Sequence, residues 1–205
     1  MRRTSYKQKK THRSGSGQLR IIGGTLRGRK LSIADLPGLR PSTDRVRETL
    51  FNWLQFELPD QHCLDLFAGT GALGFEALSR GARHVTLLEQ SKAAAAMLSA
   101  HSEKLNQECK GHAEIVCADA LQWLQNQAAE PFDIVFVDPP FHSDLAGPSC
   151  QLLQQKRYVD EGSWVYLETE KRWPLTVPSN WLLQREKVAG QVCYRLFTVA
   201  KEDHA

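Results

Sequence analysis

The chain has 205 residues, 41% of them hydrophobic and 24% charged, which suits one globular unit with a sizeable core. No run approaches the roughly 20 apolar residues of a membrane helix and the N-terminus lacks the apolar stretch of a signal peptide, so a soluble cytoplasmic protein is expected. The net charge of +3 conceals an asymmetry: residues 1–47 hold 13 of the 26 Lys and Arg against two acids, Asp35 and Asp44, for +11, and the rest carries 13 basic and 21 acidic groups, for −8. A basic leading segment on a neutral-to-acidic body points to a polyanion, and nucleic acid rather than a membrane, as partner.

In chain order, residues 1–17 contain Arg2, Arg3, Lys7, Lys9, Lys10, His12 and Arg13, close on Ser and Gly, and hold almost nothing apolar. Composition makes this a disordered tail, read either as a solvated terminus or as an arm drawn to phosphates. Residues 18–58 form an extension that joins the body, 59–205, as one unit. In it Gln18–Ile22 and Leu26–Leu31 flank Gly23-Gly24 as two short strands, and Arg20, Arg27, Arg29 and Lys30 give them a nucleic-acid-facing character. Arg40-Pro41-Ser42-Thr43-Asp44 leads into a helix whose Val46, Leu50, Trp53, Leu54 and Leu58 form a core stripe. Arg45, Arg47 and Glu48 fall off that stripe, as a solvated face with local ion pairs would.

Cys63-Leu64-Asp65-Leu66-Phe67-Ala68-Gly69-Thr70-Gly71-Ala72-Leu73-Gly74 reads as strand, tight turn and helix. The glycines permit a sharp turn and close approach to a ligand. Gly69 to Gly74 satisfies a G-x-G-x-x-G pattern, and Glu89, ending the apolar run 85–88, can accept both hydroxyls of a ribose. A nicotinamide dinucleotide, S-adenosylmethionine (AdoMet) and a purely structural turn all remain open on this pattern alone. Asp65, ahead of the first glycine, favours a ligand with a cationic amino group, which AdoMet has and a pyrophosphate lacks.

From here strands near 62–67, 84–88, 113–117 and 132–137 alternate with helices at 72–80, 91–106 and 119–128, the pattern of βαβ units in a parallel sheet covered on both faces. A helix at 147–156, a strand at 163–168 and two runs, 181–188 and 192–199, around Ala189-Gly190-Gln191 follow. The five cysteines at 63, 109, 117, 150 and 193 show no C-x-x-C pair and no zinc spacing, so reduced thiols and no metal are expected.

The run Phe132–Val137 ends in Asp138-Pro139-Pro140-Phe141. At this motif the chain resembles the AdoMet-dependent amino-methyltransferases, whose signature is D/N-P-P-Y/F/W after the fourth strand. The segment Arg40–Asn52 also resembles R-P-x-T-D-R-V-R-E-x-L-F-N of the bacterial 16S ribosomal RNA (guanine-N2)-methyltransferase family, and the likeness extends from Arg20 onward. It implies an α/β fold: a seven-stranded Rossmann-like sheet, mostly parallel with an antiparallel last strand, helices on both faces, and a small N-terminal hairpin and helix. It implies AdoMet as methyl donor, S-adenosylhomocysteine as product, and guanine 966 of 16S rRNA, free or in an assembling small subunit, as substrate of a monomeric enzyme.

By the same resemblance Asp65, Phe67, Gly69 and Gly71 hold the methionine portion of AdoMet, Glu89 the ribose, and Asp119 with Ala120 the adenine edge, Asp138 closing the site. Asp119 also suits a helix N-cap, and both roles are compatible. An exocyclic base amine is a poor nucleophile because its lone pair is delocalised into the ring. The Asp138 carboxylate and Pro139 carbonyl are expected to accept its N–H groups, on a loop that two prolines stiffen, and Phe141 to stack on the base. His142 reads as a polar loop residue, and Glu168 as a strand end without a motif partner. RNA is expected to meet Arg2, Arg3, Lys7, Lys9, Lys10, Arg13, Arg20, Arg27, Arg29, Lys30, Arg40 and Arg45. Three rivals stay open: a DNA amino-methyltransferase, which would usually carry a separate recognition domain; a protein-glutamine methyltransferase, which usually has Asn at the position of Asp138; and a non-enzymatic RNA-binding assembly factor.

Overall fold

A computed structural model describes residues 17–33, 44–127, 130–174 and 176–201. Strands β1 (Gln18–Arg20) and β2 (Lys30–Ser32) pair antiparallel, and helix α1 (Asp44–Trp53) follows. The body then runs β3 (His62–Asp65), α2 (Ala72–Ser79), β4 (His84–Leu88), α3 (Lys92–Leu105), β5 (His112–Val116), α4 (Ala120–Asn126), β6 (Ile134–Val137), α5 (Ala146–Gln155), β7 (Trp164–Glu170), β8 (Trp181–Ala189) and β9 (Val192–Val199). The tail before residue 17, with Arg2, Arg3, Lys7, Lys9, Lys10 and Arg13, and Arg40 with the helix-leading segment, lie outside the described residues.

The main sheet has the order β5-β4-β3-β6-β7-β9-β8. Strands β3 to β7 pair in parallel, and β9 inserts antiparallel between β7 and β8. The buried strands β4 and β6 are apolar almost throughout, as sheets covered on both faces require. One core, with Leu50, Phe51, Phe75, Leu98, Phe136 and Tyr166, lies under α1, α2 and α3; the other, with Leu124, Val135, Leu153, Val165 and Phe197, lies under α4 and α5. Strand order reverses between β3 and β6, so a crevice opens at their carboxyl ends, where open α/β sheets bind ligands.

Two expectations need correction. The second strand of the hairpin is not 26–31 but Lys30–Ser32. Gly24 and Gly28 take φ of 72° and 86°, which turns the chain between them, and Leu26 is drawn under the C-terminus of α2, its N–H donating to Ser79 Oγ at 2.9 Å. A Cβ at Gly24 would meet the Ser79 carbonyl oxygen at 1.9 Å, so this docking requires glycine.

Arg47 is not on a solvated face. It is 1% exposed and donates to the Arg20 carbonyl at 2.9 Å and to Asp44 Oδ1 at 2.6 Å, and its guanidinium stands 3.6 Å from Glu76 on α2, itself fully buried. Glu76 also takes the Ile22 N–H at 2.8 Å and Arg80 Nε at 2.8 Å, and Arg80 lies 5.2 Å over the Phe51 ring. This network ties hairpin, α1 and α2 into one body. Arg45 and Glu48 are exposed, as the spacing predicts.

Candidate active site

The glycine loop closes the turn from β3 into α2. Gly69 and Gly71 have φ of 52° and 75°, and a Cβ on Gly71 would meet the Phe75 ring at 2.5 Å. Gly74 has no room either: a Cβ there would meet Leu87 Cδ2 at 2.5 Å. Asp65, 1% exposed, accepts the Gly74 N–H at 2.9 Å and the Phe67 N–H, so it holds the loop from beneath. Burial pushes its carboxyl up to about 7, with the charge of Glu89 adding to the rise and the two N–H donors opposing it.

Glu89, half-buried at the end of β4, accepts the Gly69 N–H at 3.0 Å on one oxygen and the Ser91 N–H at 2.7 Å on the other. It thereby fixes the tip of the glycine loop to the start of α3, and each oxygen keeps a second lone pair for a ligand hydroxyl. The Ala118 N–H donates to the Glu89 carbonyl at 3.2 Å, which brings the segment before Asp119 alongside. Asp119 is exposed and caps α4 by accepting the Gln122 N–H at 2.9 Å; Ala120 beside it is buried. Gly69, Gly71, Glu89 and Asp119 thus stand at the carboxyl ends of β3, β4 and β5, with Asp65 buried beneath the glycine loop and Ala120 buried at the start of α4.

Across the crevice, Asp138-Pro139-Pro140-Phe141 leaves β6. Asp138 is half-buried, Pro139 buried, and Phe141 49% exposed. The loop is pinned: Ser143 Oγ donates to the Pro140 carbonyl, and the His142 N–H to Glu170 Oε1 at 2.5 Å. That bond holds the Glu170 carboxyl below the usual range and supports His142 at a φ of 60°. The His142 ring is 91% exposed, 3.6 Å from Glu170, which agrees with a polar loop residue.

Sequence reasoning missed Tyr166 and Glu168. The Tyr166 hydroxyl donates to Glu168 Oε2 at 2.7 Å, and both residues are buried. Burial raises the Glu168 carboxyl, and burial with the charges of Glu168 and Asp138 raises the Tyr166 phenol well above its ordinary value. The alternation Tyr166, Glu168, Glu170 along β7 was the available signal, since these share a face with the strand end that carries Asp138.

Of the cations expected to meet RNA, Arg27, Lys30 and Arg45 are exposed. Arg20 pairs with Asp44 at 3.2 Å, both ends in solvent, and Arg29 with Glu108. Ser32, the last residue of β2, and Ile33 after it border a small cleft with Gly69, Thr70, Met97 and His101, so the hairpin adjoins the glycine loop.

Residues 19–198 match a family model described as "Conserved hypothetical protein 95". Ribosomal RNA small subunit methyltransferase D of Escherichia coli (strain K12) is 51% identical over 190 residues, covering 92% of this chain and 94% of that protein. Its namesake in Haemophilus influenzae is 46% identical over 186 residues, with 90% and 95% covered. The solved structure of yhhF from E. coli superposes with a TM-score of 0.83 at 46% identity, over 91% of this chain and 100% of that one.

Proposed function

Because the chain belongs to the family of conserved hypothetical protein 95 and of the ribosomal RNA small subunit methyltransferases D, we propose that it methylates the exocyclic N2 of a guanine in 16S rRNA. The observation that carries this reading is the pairing of a glycine loop braced by Asp65 and Glu89 with a rigid Asp-Pro-Pro-Phe loop on the facing strand. The fold is that of AdoMet-dependent methyltransferases, and AdoMet, when bound, supplies an electrophilic methyl group on a sulfonium leaving group. Asp65, Phe67, Gly69 and Gly71 would hold its methionine portion, the first through the loop it supports. Glu89 would take the ribose hydroxyls, and Asp119 with Ala120 the adenine edge.

The chain's own part in transfer is acceptor placement. Asp138 and the Pro139 carbonyl accept the two N–H groups of the guanine amine, which turns its lone pair toward the methyl group. The Pro-Pro pair and the Glu170 and Ser143 bonds remove the loop's freedom beforehand, so little reorganisation is needed at reaction. Phe141 stacks on a base withdrawn from its helix or loop. Arg27, Lys30 and Arg45, with the cations of the N-terminal segment, attract the RNA backbone, an attraction that weakens with salt. The target, by family resemblance, is guanine 966, and we infer that a domain of this size takes part of its specificity from the shape of a ribonucleoprotein, so that the substrate is an assembling small subunit.

The test is transfer of labelled methyl from AdoMet to unmodified 16S rRNA, naked and protein-bound, with nucleoside analysis. N2-methylguanosine is expected, with the rate falling at least about 100-fold in Asp138→Ala while AdoMet binding persists. Methyl on another atom, or a rate indifferent to Asp138, refutes the reading. The rival of a non-enzymatic assembly factor predicts that Asp138→Ala leaves subunit assembly and all other effects intact.

A further inference from the structure

We propose that Glu168, oriented by Tyr166, is the residue that selects guanine, by accepting the N1–H of the base while Asp138 and Pro139 hold its amine. This rests on the guanine-N2 reading above. Strands β6 and β7 are parallel neighbours with Val137 opposite Leu167, so the next positions, Asp138 and Glu168, stand side by side. Tyr166 and Glu168 occupy alternate positions of β7 and share one face, and the Tyr166 phenol lies in the fields of both Glu168 and Asp138. The paired backbones of Val137 and Leu167 are about one strand spacing (roughly 4.8 Å) apart, so Asp138 and Glu168, next along each strand, are near enough in the sheet to serve one base edge.

A buried carboxylate is costly unless it has work to do or partners to satisfy it. Glu168 is 6% exposed, and its hydrogen bond in the described structure is the Tyr166 hydroxyl, on Oε2. No arginine or lysine neutralises it in the ion pairs among the described residues, and a carboxylate that accepts one hydroxyl keeps further lone-pair sites for another donor. Guanine is the standard base that presents an N–H at N1 beside an exocyclic amine at C2. Adenine and cytosine present a lone pair at the ring nitrogen beside their amines, and a carboxylate repels it. Glu168 thus favours guanine and rejects the other two amine-bearing bases at one position.

The experiment uses small-subunit particles carrying guanosine or 2-aminopurine at the target position. 2-Aminopurine keeps the C2 amine and replaces N1–H by a lone pair. The readout is the ratio of kcat/KM for guanine over 2-aminopurine, in the full chain, in Glu168→Gln and in Tyr166→Phe, with thermal unfolding as a fold check. The Gln amide can donate to the bare N1, so the ratio falls about 10-fold or more in Glu168→Gln, and by less but in the same sense in Tyr166→Phe. A purely structural role lowers both substrates together and leaves the ratio unchanged; that result overturns the proposal while N2-methylguanosine still forms. If Glu168→Gln does not fold, the Tyr166→Phe ratio decides. Absence of N2 methylation by the unaltered chain refutes the reading on which the proposal rests, and the two failures are thereby distinct.

Discussion

Replacing Arg47 tests whether the hairpin, α1 and α2 form one body. Its guanidinium is 1% exposed and faces Glu76, which is fully buried, so Arg47→Ala leaves a buried carboxylate with one cation fewer. Removing one member of a buried pair costs about 3–5 kcal/mol. Arg80 at 2.8 Å and the Ile22 N–H at 2.8 Å still serve Glu76, which favours the lower end. The Arg20 carbonyl also loses its donor, worth about 1 kcal/mol. A loss of about 4 kcal/mol is expected from urea unfolding, read as a shift in midpoint at constant slope. Arg47→Met combined with Glu76→Gln should recover at least about 1 kcal/mol of that loss, because the uncompensated charge is gone and the Gln oxygen still accepts from Ile22. A cost below about 1 kcal/mol for Arg47→Ala, the size expected of a solvated ion pair, would refute the argument.

Asp65 gives a pH signature. Its folded carboxyl is raised from 3.8 to about 7, so between those values the folded state holds a proton that the unfolded state has released. The contribution is fully present below about pH 3.8 and is lost as pH rises toward 7, a fall on the order of 4 kcal/mol. Asp65→Asn should flatten the slope of stability against pH across that window in a denaturant series; an unchanged slope would contradict the assignment. Thiol labelling should separate the cysteines. Cys117 is exposed and reacts first, whereas burial raises the Cys63 thiol far above its ordinary value and pushes Cys150 up to about 12, so both should label only on unfolding. Labelling of either at the Cys117 rate in the folded protein would show that the cores beneath α2 and α5 open readily.

The order of elements, the parallel sheet, the antiparallel return at its edge and the two loops that form the crevice were legible in the chain. Each rests on short-range information: strand and helix periods, glycines followed by a helix, two prolines after an apolar run. Such features act within a few residues of themselves, and periodicity therefore locates α2, α3, β4 and β6 to within a residue or two. The hairpin's second strand was misplaced because Leu26 is held by Ser79, 53 residues away.

Tertiary structure alone decided the charged interior. Nothing local distinguishes Arg47 from Arg45, since both stand off the apolar stripe of α1. Arg47 is buried because α2 places Glu76 opposite it and the hairpin returns a carbonyl to it. Glu168 likewise looked like an ordinary strand end, and the role proposed for it depends on β7 being hydrogen-bonded beside β6, whose loop carries Asp138. Sequence periodicity sets which face of its own element a residue occupies. What that face meets is set by strand order and by the packing of distant segments, and a buried charge depends on that meeting for its stability.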